Sequence, residues 1–314
     1  METNTIEEKS TLFSNVNKSS EIKGKVIVGA TLAAVILIIS VLLLIVGIIV
    51  YNGWSKFSWE FISSFPTDGM TQGGIFPAII GTFILVVVMS IAAVPFGTIT
   101  ALYLTEYAKE NSKFAAAVRF SVRTLAVVPS IIFGLFGLGF FIQFIGSGMD
   151  KTFNNGMLHW GQPNILWASL TMALLTLPVI IVSVEEALKT VPRELREASL
   201  ALGATKWQTI RKVVLPESVS GIMTGTILAV SRGAGEVAPI LFTGAAYYLA
   251  TLPKSVSDQF MNLGYHIYIM STQSSDVEKT MPIQFATTLV LLMLTVSLNI
   301  VAVIIRSRIR RKKN

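Results

Sequence analysis

Arg232 and Glu236 stand out chemically, because they are the only charged residues between Ser218 and Tyr248. An arginine guanidinium carries five donors in a planar fork, which fits the oxygens of a tetrahedral oxyanion. The residues on either side of Arg232, from Ser231 to Gly235, are small and leave room for a ligand. A carboxylate four residues away can neutralise the cation while no anion is bound. The pair therefore predicts an anion-binding site, in which Arg232 contacts the anion and Glu236 tunes that contact.

The element that must position this pair is a membrane-spanning helix. Hydrophobic residues make up 52% of the 314 residues and charged residues only 14%, whereas soluble proteins carry about 25% charged residues. A helix that crosses a bilayer needs about 20 apolar residues, and lipid leaves the backbone no other partners. Six apolar stretches meet this requirement. Five are uncharged, namely Val26–Val50, Gly73–Thr105, Thr124–Met149, Gly161–Val184 and Thr280–Ile305, and the other, Ser218–Tyr248, which is fifth in chain order, is interrupted by Arg232 and Glu236. The sequence predicts an all-α polytopic membrane protein with about six transmembrane helices.

A charge inside the fifth stretch needs a reason, since an arginine at the centre of a membrane helix costs at least about 2.5–3.5 kcal/mol. If the helix runs from Ser218 to Tyr248, Arg232 lies roughly 21 Å from its inner end. Pairing with Glu236 four residues away returns only about 0.2–0.5 kcal/mol. The charges are therefore predicted to face protein or a water-filled path. The alternative is a buried ion pair that only locks helix packing.

Lysine and arginine are distributed unevenly between the two sides of the predicted bundle. One side carries Lys9, Lys18, Lys23, Lys25, Lys109, Lys113, Arg119, Arg123, Lys189, Arg193, Arg196, Lys206, Arg211, Lys212, Arg306, Arg308, Arg310, Arg311, Lys312 and Lys313. The other side carries Lys56, Lys151, Lys254 and Lys279. Basic residues collect on cytoplasmic loops, so both termini are predicted to be cytoplasmic. This asymmetry accounts for the net charge of +7 and leaves no support for binding to nucleic acid.

Several classes of chemistry find no basis in the sequence. It contains no cysteine, and its two histidines, His159 and His266, have no acidic cluster beside them, so we expect neither a thiol nucleophile nor a metal site. No GxxxxGK[ST] loop occurs, so we expect no nucleotide to be bound by this route. The N-terminus is polar as far as Lys25, and the following apolar run is too long for a signal peptide, so it is predicted to remain as the first span.

The segment from Glu185 to Pro216 is too long for a simple turn between two spans. Pro192 lies where a helix would begin, and Gly203 is a natural helix end. A second short helix is predicted from Thr205 to Val214. Two short helices joined at a glycine would form a compact projection into the cytoplasm. An amphipathic hairpin stabilised by lipid headgroups is the alternative.

The residues of this segment resemble the EAA signature of ABC importer permeases. The resemblance is carried by Glu197, Ala198, Ser199, Gly203, Leu215 and Pro216. In that family the signature forms a coupling helix, which seats in a cleft of a separate ATP-binding subunit. The resemblance therefore implies that Glu197, Ala198, Gly203, Leu215 and Pro216 couple this chain to an ATPase.

Three further segments resemble the phosphate transport system permease family (PstA) of ABC importers. They are Gly73–Thr82, Pro129–Gly137 and Gly235–Thr243. The resemblance implies a type I ABC importer (MetI-like) transmembrane domain over residues 73–306, with its coupling segment at 191–216. A cytoplasmic tail over residues 1–25, a first transmembrane helix over 26–50 and a basic cytoplasmic tail over 307–314 complete the predicted organisation.

The same resemblance implies a non-enzymatic subunit of a phosphate importer in the cell membrane. Its implied partners are an ABC ATPase dimer that binds ATP and Mg²⁺, a sister permease subunit, an extracytoplasmic phosphate-binding protein, inorganic phosphate and membrane lipid. Arg232 and Glu236 match the charged pair of the family's translocation path. Other readings remain open, namely a permease for sulfate or molybdate, the sister phosphate permease, an ion-coupled secondary carrier and a non-transporting scaffold.

Overall fold

Helices account for most of the chain in the structure, a computed structural model that describes residues 3–109, 111–274 and 276–311. In chain order the helices are α1 (Thr3–Gly53), α2 (Trp59–Ser63), α3 (Phe76–Leu102), α4 (Lys113–Ala126), α5 (Ser130–Phe136), α6 (Ser147–Phe153), α7 (Ile165–Lys189), α8 (Arg193–Ala201), α9 (Lys206–Thr209), α10 (Leu215–Ala234), α11 (Ile240–Thr243), α12 (Leu263–Thr272) and α13 (Val277–Arg311). Two short strands, β1 (Pro66–Thr67) and β2 (Gln72–Gly73), pair antiparallel, with Pro66 opposite Gly73. A 3₁₀ turn at Asp68–Met70 connects them.

The described residues also contain three π-helical segments, each continuous with an α-helix. They lie at Tyr103–Tyr107 after α3, at Gly137–Gly146 between α5 and α6, and at Ile210–Val214 between α9 and α10. Among the described residues, six helical segments are long and apolar enough to cross a membrane. They are Lys23–Gly53, Phe76–Tyr107, Ser130–Phe153, Ile165–Lys189, Lys206–Ala234 and Val277–Arg308. The predicted all-α architecture with six spans is confirmed.

The two ends of the chain are helical further out than the predicted spans. The polar residues before Lys25 continue the first span as one helix that starts at Thr3, while residues 1 and 2 lie outside the described part of the chain. The last helix runs as far as Arg311. Residues 312–314 of the predicted basic tail also lie outside the described residues.

Side-chain caps mark where several helices begin. The Asn164 side chain accepts a hydrogen bond from the Trp167 backbone N–H at the start of α7, and Asn262 does the same for Tyr265 at the start of α12. Thr205 and Gln208 form a reciprocal capping box at the start of α9, where the sequence predicts a helix to begin. Such caps satisfy N–H groups that have no partner inside the helix.

The third span begins at Ser130, not at Thr124 as predicted. The apolar stretch is broken at Pro129, whose extended backbone (φ −56°, ψ 138°) separates α4 from α5. A proline ring disfavours helical geometry in the residue that precedes it, and hydropathy does not sense this restriction. In contrast, Pro95 and Pro178 lie inside α3 and α7, and neither ends its helix.

The fifth span also differs from its predicted limits at both ends. The helix starts at Lys206 and passes through Pro216, although the sequence predicts a helix end before Leu215-Pro216. The π turn directly before Leu215 widens the helix, and the Leu215 N–H bonds to Ile210 five residues back. A wider turn relieves the clash between a proline ring and the preceding turn. At its other end the helix stops at Ala234 instead of Tyr248.

The core is built around α7, which packs against α3 on one side and α10 on another. The closest approach to α10 is made possible by Gly221 and Gly225. A Cβ atom at Gly225 would lie 2.2 Å from the Cβ of Ser183, a distance that real structures do not show. This close packing on α7 restricts the rotation of α10 about its own axis.

A second apolar cluster joins α12 to α13, with Leu263, Ile269 and Met270 among its buried members.

Candidate functional site

Arg232 lies in the last turn of α10, about 26 Å along the helix from Leu215. Its predicted position, midway along a helix that continues to Tyr248, is wrong, because α10 ends at Ala234 with Gly235 as its C-terminal cap. Glycine is common just after the end of a helix. A cation in the last turn of a helix also faces the negative end of the helix dipole, which is favourable.

The structure brings the two residues of the predicted anion site together. The Nε atom of Arg232 lies 3.7 Å from Oε1 of Glu236, which sits in the turn after the helix. This separation exceeds the range of a hydrogen bond, about 2.7–3.2 Å. Within the described part of the chain no hydrogen bond holds the Arg232 guanidinium, and its side chain is 66% exposed, compared with 23% for Glu236. The donors of the guanidinium are thus free for a ligand.

Arg232 points away from the helix bundle of its own chain because its neighbours are packed into that bundle. Gly233 and Ala234 are buried, and a Cβ at Gly233 would lie 2.8 Å from the Met89 sulfur. The exposed stripe of α10 includes the side chains of Glu217, Leu228 and Arg232. Arg232 therefore lies on a face of the helix that the described residues leave exposed.

Two polar contacts join α10 to α13 and were not predicted from the sequence. Nη1 of Arg306 donates a hydrogen bond to Oγ1 of Thr224 over 2.7 Å, and the Ser231 hydroxyl donates to the amide oxygen of Asn299. The partners are seven residues apart on both helices, so the contacts recur after two helical turns on one face. These two contacts, here called the register lock, act together with the packing on α7 to orient α10, and hence the Arg232 side chain that follows Ser231.

The predicted coupling segment begins with the short helix α8, and its second helix, α9, runs on through the π turn at Ile210–Val214 into the fifth span. Glu197 and Ala198 are exposed on α8, and no residue of α8 is buried. The apolar side chain of Leu202, at its end, is 89% exposed. The hydroxyls of Ser199 and Thr209 lie 2.9 Å apart and hold α8 against the helix that follows. This gives Ser199 a structural role that a hydrocarbon side chain would not fill.

Gly203 produces the turn between these helices. Its φ angle is +85°, in the left-handed region, and a Cβ atom built there would meet nothing within 4 Å. Glycine is thus required by the backbone conformation and not by lack of space. Leu215 and Pro216 are half-buried within the long helix of the fifth span. They belong to a different element from Glu197 and Ala198.

Two ion pairs join elements that are far apart in the sequence, and one of them involves α8. Nη2 of Arg196 on α8 lies 3.0 Å from Oε1 of Glu106 at the end of the second span. Nε of Arg119 on α4 lies 3.2 Å from Oε1 of Glu185 on α7. The partners are 90 and 66 residues apart, so no local sequence pattern could indicate them.

The chain is similar to a known protein family and to several named membrane proteins. Residues 93–311 match the family described as "Binding-protein-dependent transport system inner membrane component". The probable ABC transporter permease protein YqgI of Bacillus subtilis is 30% identical over 236 residues, covering 72% of this chain and 75% of that protein. The phosphate transport system permease protein PstA of Mycobacterium leprae is 40% identical over 169 residues, covering 54% of this chain but only half of that protein.

A solved structure shares the fold. The likeness is to a chain of a bacterial alginate ABC transporter in complex with its alginate-bound periplasmic protein, with a TM-score of 0.64 and 17% identity over 90% of this chain and 94% of that chain. The family match runs from within α3 to the end of α13 and includes α8, Gly203 and Arg232. This multi-pass membrane protein therefore has the fold of a type I ABC importer permease, and it belongs to the family of binding-protein-dependent transport system inner membrane components.

Proposed function

We propose that this chain is the permease subunit of an ATP-driven phosphate importer and forms half of its translocation pathway, the other half coming from a sister permease. The observation that carries the proposal is the exposed guanidinium of Arg232 at the end of a membrane-spanning helix. Phosphate is favoured among oxyanions because relatives such as the M. leprae protein are named phosphate permeases.

The exposure of Arg232 is informative because lipid is a poor environment for it. A charged side chain within a membrane-spanning segment is costly in hydrocarbon, and such residues almost always face protein or a water-filled path. The long, partly exposed contact with Glu236 is worth at most about 1 kcal/mol. We infer that the exposed stripe of α10 faces a water-filled path or the sister permease. Phosphate would meet free donors there, and Glu236 would limit how tightly it is held.

The exposed surface of the coupling segment supports the proposal that a separate ATPase subunit drives transport. Leu195, Leu202 and Trp207 are exposed apolar side chains on a projection whose helices bury little of their surface. Such a surface suits a docking partner, and the EAA-like residues Glu197, Ala198 and Gly203 indicate an ABC ATPase. In this proposal an ATPase dimer binds ATP and Mg²⁺ on the cytoplasmic side, where both termini of the chain also lie, and this chain binds no cofactor.

The transport cycle follows from these assignments. A loaded extracytoplasmic phosphate-binding protein docks on the outer loops while the ATPases close on ATP. Closing draws the coupling segments of the two permeases together, and the spans rearrange to open the path outward. Phosphate enters beside Arg232, whose charge lowers the cost of bringing an anion into the membrane. Hydrolysis then opens the inward side.

The test is transport by the complex reconstituted in proteoliposomes. Labelled phosphate is supplied on the side of the phosphate-binding protein, and ATP is supplied on the side of the ATPase. Arg232→Ala should reduce phosphate uptake at least tenfold, whereas Arg232→Lys, which keeps the charge but loses the fork, should reduce it less. Arg308→Ala removes an exposed arginine elsewhere in the chain and should transport normally. Normal transport by Arg232→Ala would exclude the proposed path.

Competition by other oxyanions separates the remaining readings. Excess sulfate or molybdate should leave phosphate uptake unchanged if the complex selects phosphate. Strong competition by either would reassign the substrate while keeping the pathway. Uptake that continues without ATP and resists vanadate would instead indicate an ion-coupled carrier.

A further inference from the structure

Arg196 connects the exposed helix α8 to the end of two spans. Its Nη2 atom donates to Oε1 of Glu106 over 3.0 Å and to the carbonyl of Leu188 over 2.8 Å, and Nη1 donates to the carbonyl of Val191 over 2.5 Å. The side chains of Glu106 and Arg196 are only 9% and 19% exposed. No residue of α8 is buried, and Arg196 joins this helix to the ends of the second and fourth spans.

The end of the second span that contains Glu106 has backbone groups available to bond with other helices. Its last turn is π-helical, so the Ala108 N–H bonds to the Tyr103 carbonyl, five residues back, over 2.8 Å. In an α-helix that N–H would bond to Leu104. The Leu104 carbonyl is thereby left available, and it accepts a hydrogen bond from Nη2 of Arg119 over 2.7 Å. π turns of this kind often occur at functional sites.

We propose that Glu106 and Arg196 form a clasp through which movement of α8 is transmitted to the second span. The clasp is a positioning element that acts on the span and does not touch the transported anion. It is a linkage that the coupling residues of the EAA-like segment do not include. The inference rests on the proposed function, since the movement it transmits is the one that a docked ATPase would impose.

The first experiment measures coupling in the complete complex reconstituted in proteoliposomes. Glu106→Gln and Arg196→Gln should keep ATP hydrolysis but transport at least tenfold less phosphate per ATP hydrolysed than the unchanged complex. The exchanged pair Glu106→Arg with Arg196→Glu should recover part of that ratio. Lys279→Gln, which breaks an exposed ion pair within three residues, is the matched control and should couple normally. Single variants with an unchanged ratio of phosphate to ATP would overturn the proposal.

A second experiment tests the mechanical link directly, without restoring the two charges. The chain has no cysteine, so Glu106→Cys with Arg196→Cys can be joined by a short bifunctional thiol reagent. The reduced double variant should couple poorly, and joining the two thiols should restore transport because the two segments move together. A reduced variant that couples normally, or a joined variant that transports no better than the reduced one, would show that the clasp is wrong. Failure of the proposed function would show separately, as an unchanged complex that moves no phosphate.

Discussion

The turn at Gly203 allows a quantitative test of the coupling segment. An L-residue in the left-handed region costs about 1–2 kcal/mol, whereas asparagine tolerates this region better than other side chains. Because a Cβ at this position meets nothing within 4 Å, Gly203→Ala introduces the backbone cost alone, with no clash. If the ATPase binds only the native turn, about 1–2 kcal/mol corresponds to a roughly 5- to 30-fold loss of affinity.

The assay is binding of the purified ATPase to the detergent-solubilised permeases, measured by titration at fixed permease concentration. Gly203→Ala should weaken binding by that factor, and Gly203→Asn should weaken it clearly less. The melting temperature of the permease should change little in either variant, since the turn is exposed and lies outside the spans. Equal binding by the alanine variant and the unchanged chain would refute the reasoning that this turn presents the docking surface. A loss as large for asparagine as for alanine would show that the added side chain, and not the backbone angle, matters.

Two further predictions concern α13 and the helix before it. Asn299→Leu removes the contact with Ser231 and should lower phosphate transport severalfold while the complex still assembles; normal transport would show that the register lock does not orient Arg232. His266 on α12, outside the six spans, has no hydrogen bond to either ring nitrogen among the described residues, and burial lowers its pKa to about 4. An unfolded histidine has a pKa of about 6.5, so the unfolded chain binds more protons below that pH, and stability falls by about 2 kcal/mol at pH 5. The melting temperature should therefore drop between pH 7.5 and pH 5 by less in His266→Leu than in the unchanged chain, and an identical drop in both would contradict this.

Local sequence features account for much of the fold. Six apolar stretches predict six spans, because a bilayer needs about 20 apolar residues for each crossing and lipid forces them to be helical. The start of α9 at Thr205 and the turn at Gly203 also follow from nearby residues, since a side-chain cap and a left-handed angle are local requirements. The proximity of Arg232 and Glu236 was likewise predictable from their spacing.

Where the fifth helix ends was decided by the folded chain and not by hydropathy. Residues 237–248 carry no charge, so hydropathy cannot show that they leave the helix and turn back towards Asn164 and α12. In the structure the Asn164 N–H bonds to the Thr243 carbonyl, and the Ala246 N–H bonds to the Phe260 carbonyl. These long-range bonds replace the helical ones that a continuous span would have made.

What the sequence determined by itself is the number of spans and the local turns, because each depends on residues close together in the chain. Only the tertiary structure decided which face of α10 carries Arg232 outward and which charges are paired. Glu106 meets Arg196 across 90 residues, and Ser231 meets Asn299 across 68. Such contacts depend on how helices are rotated and packed, and the apolar pattern that places a helix in the membrane leaves that rotation open.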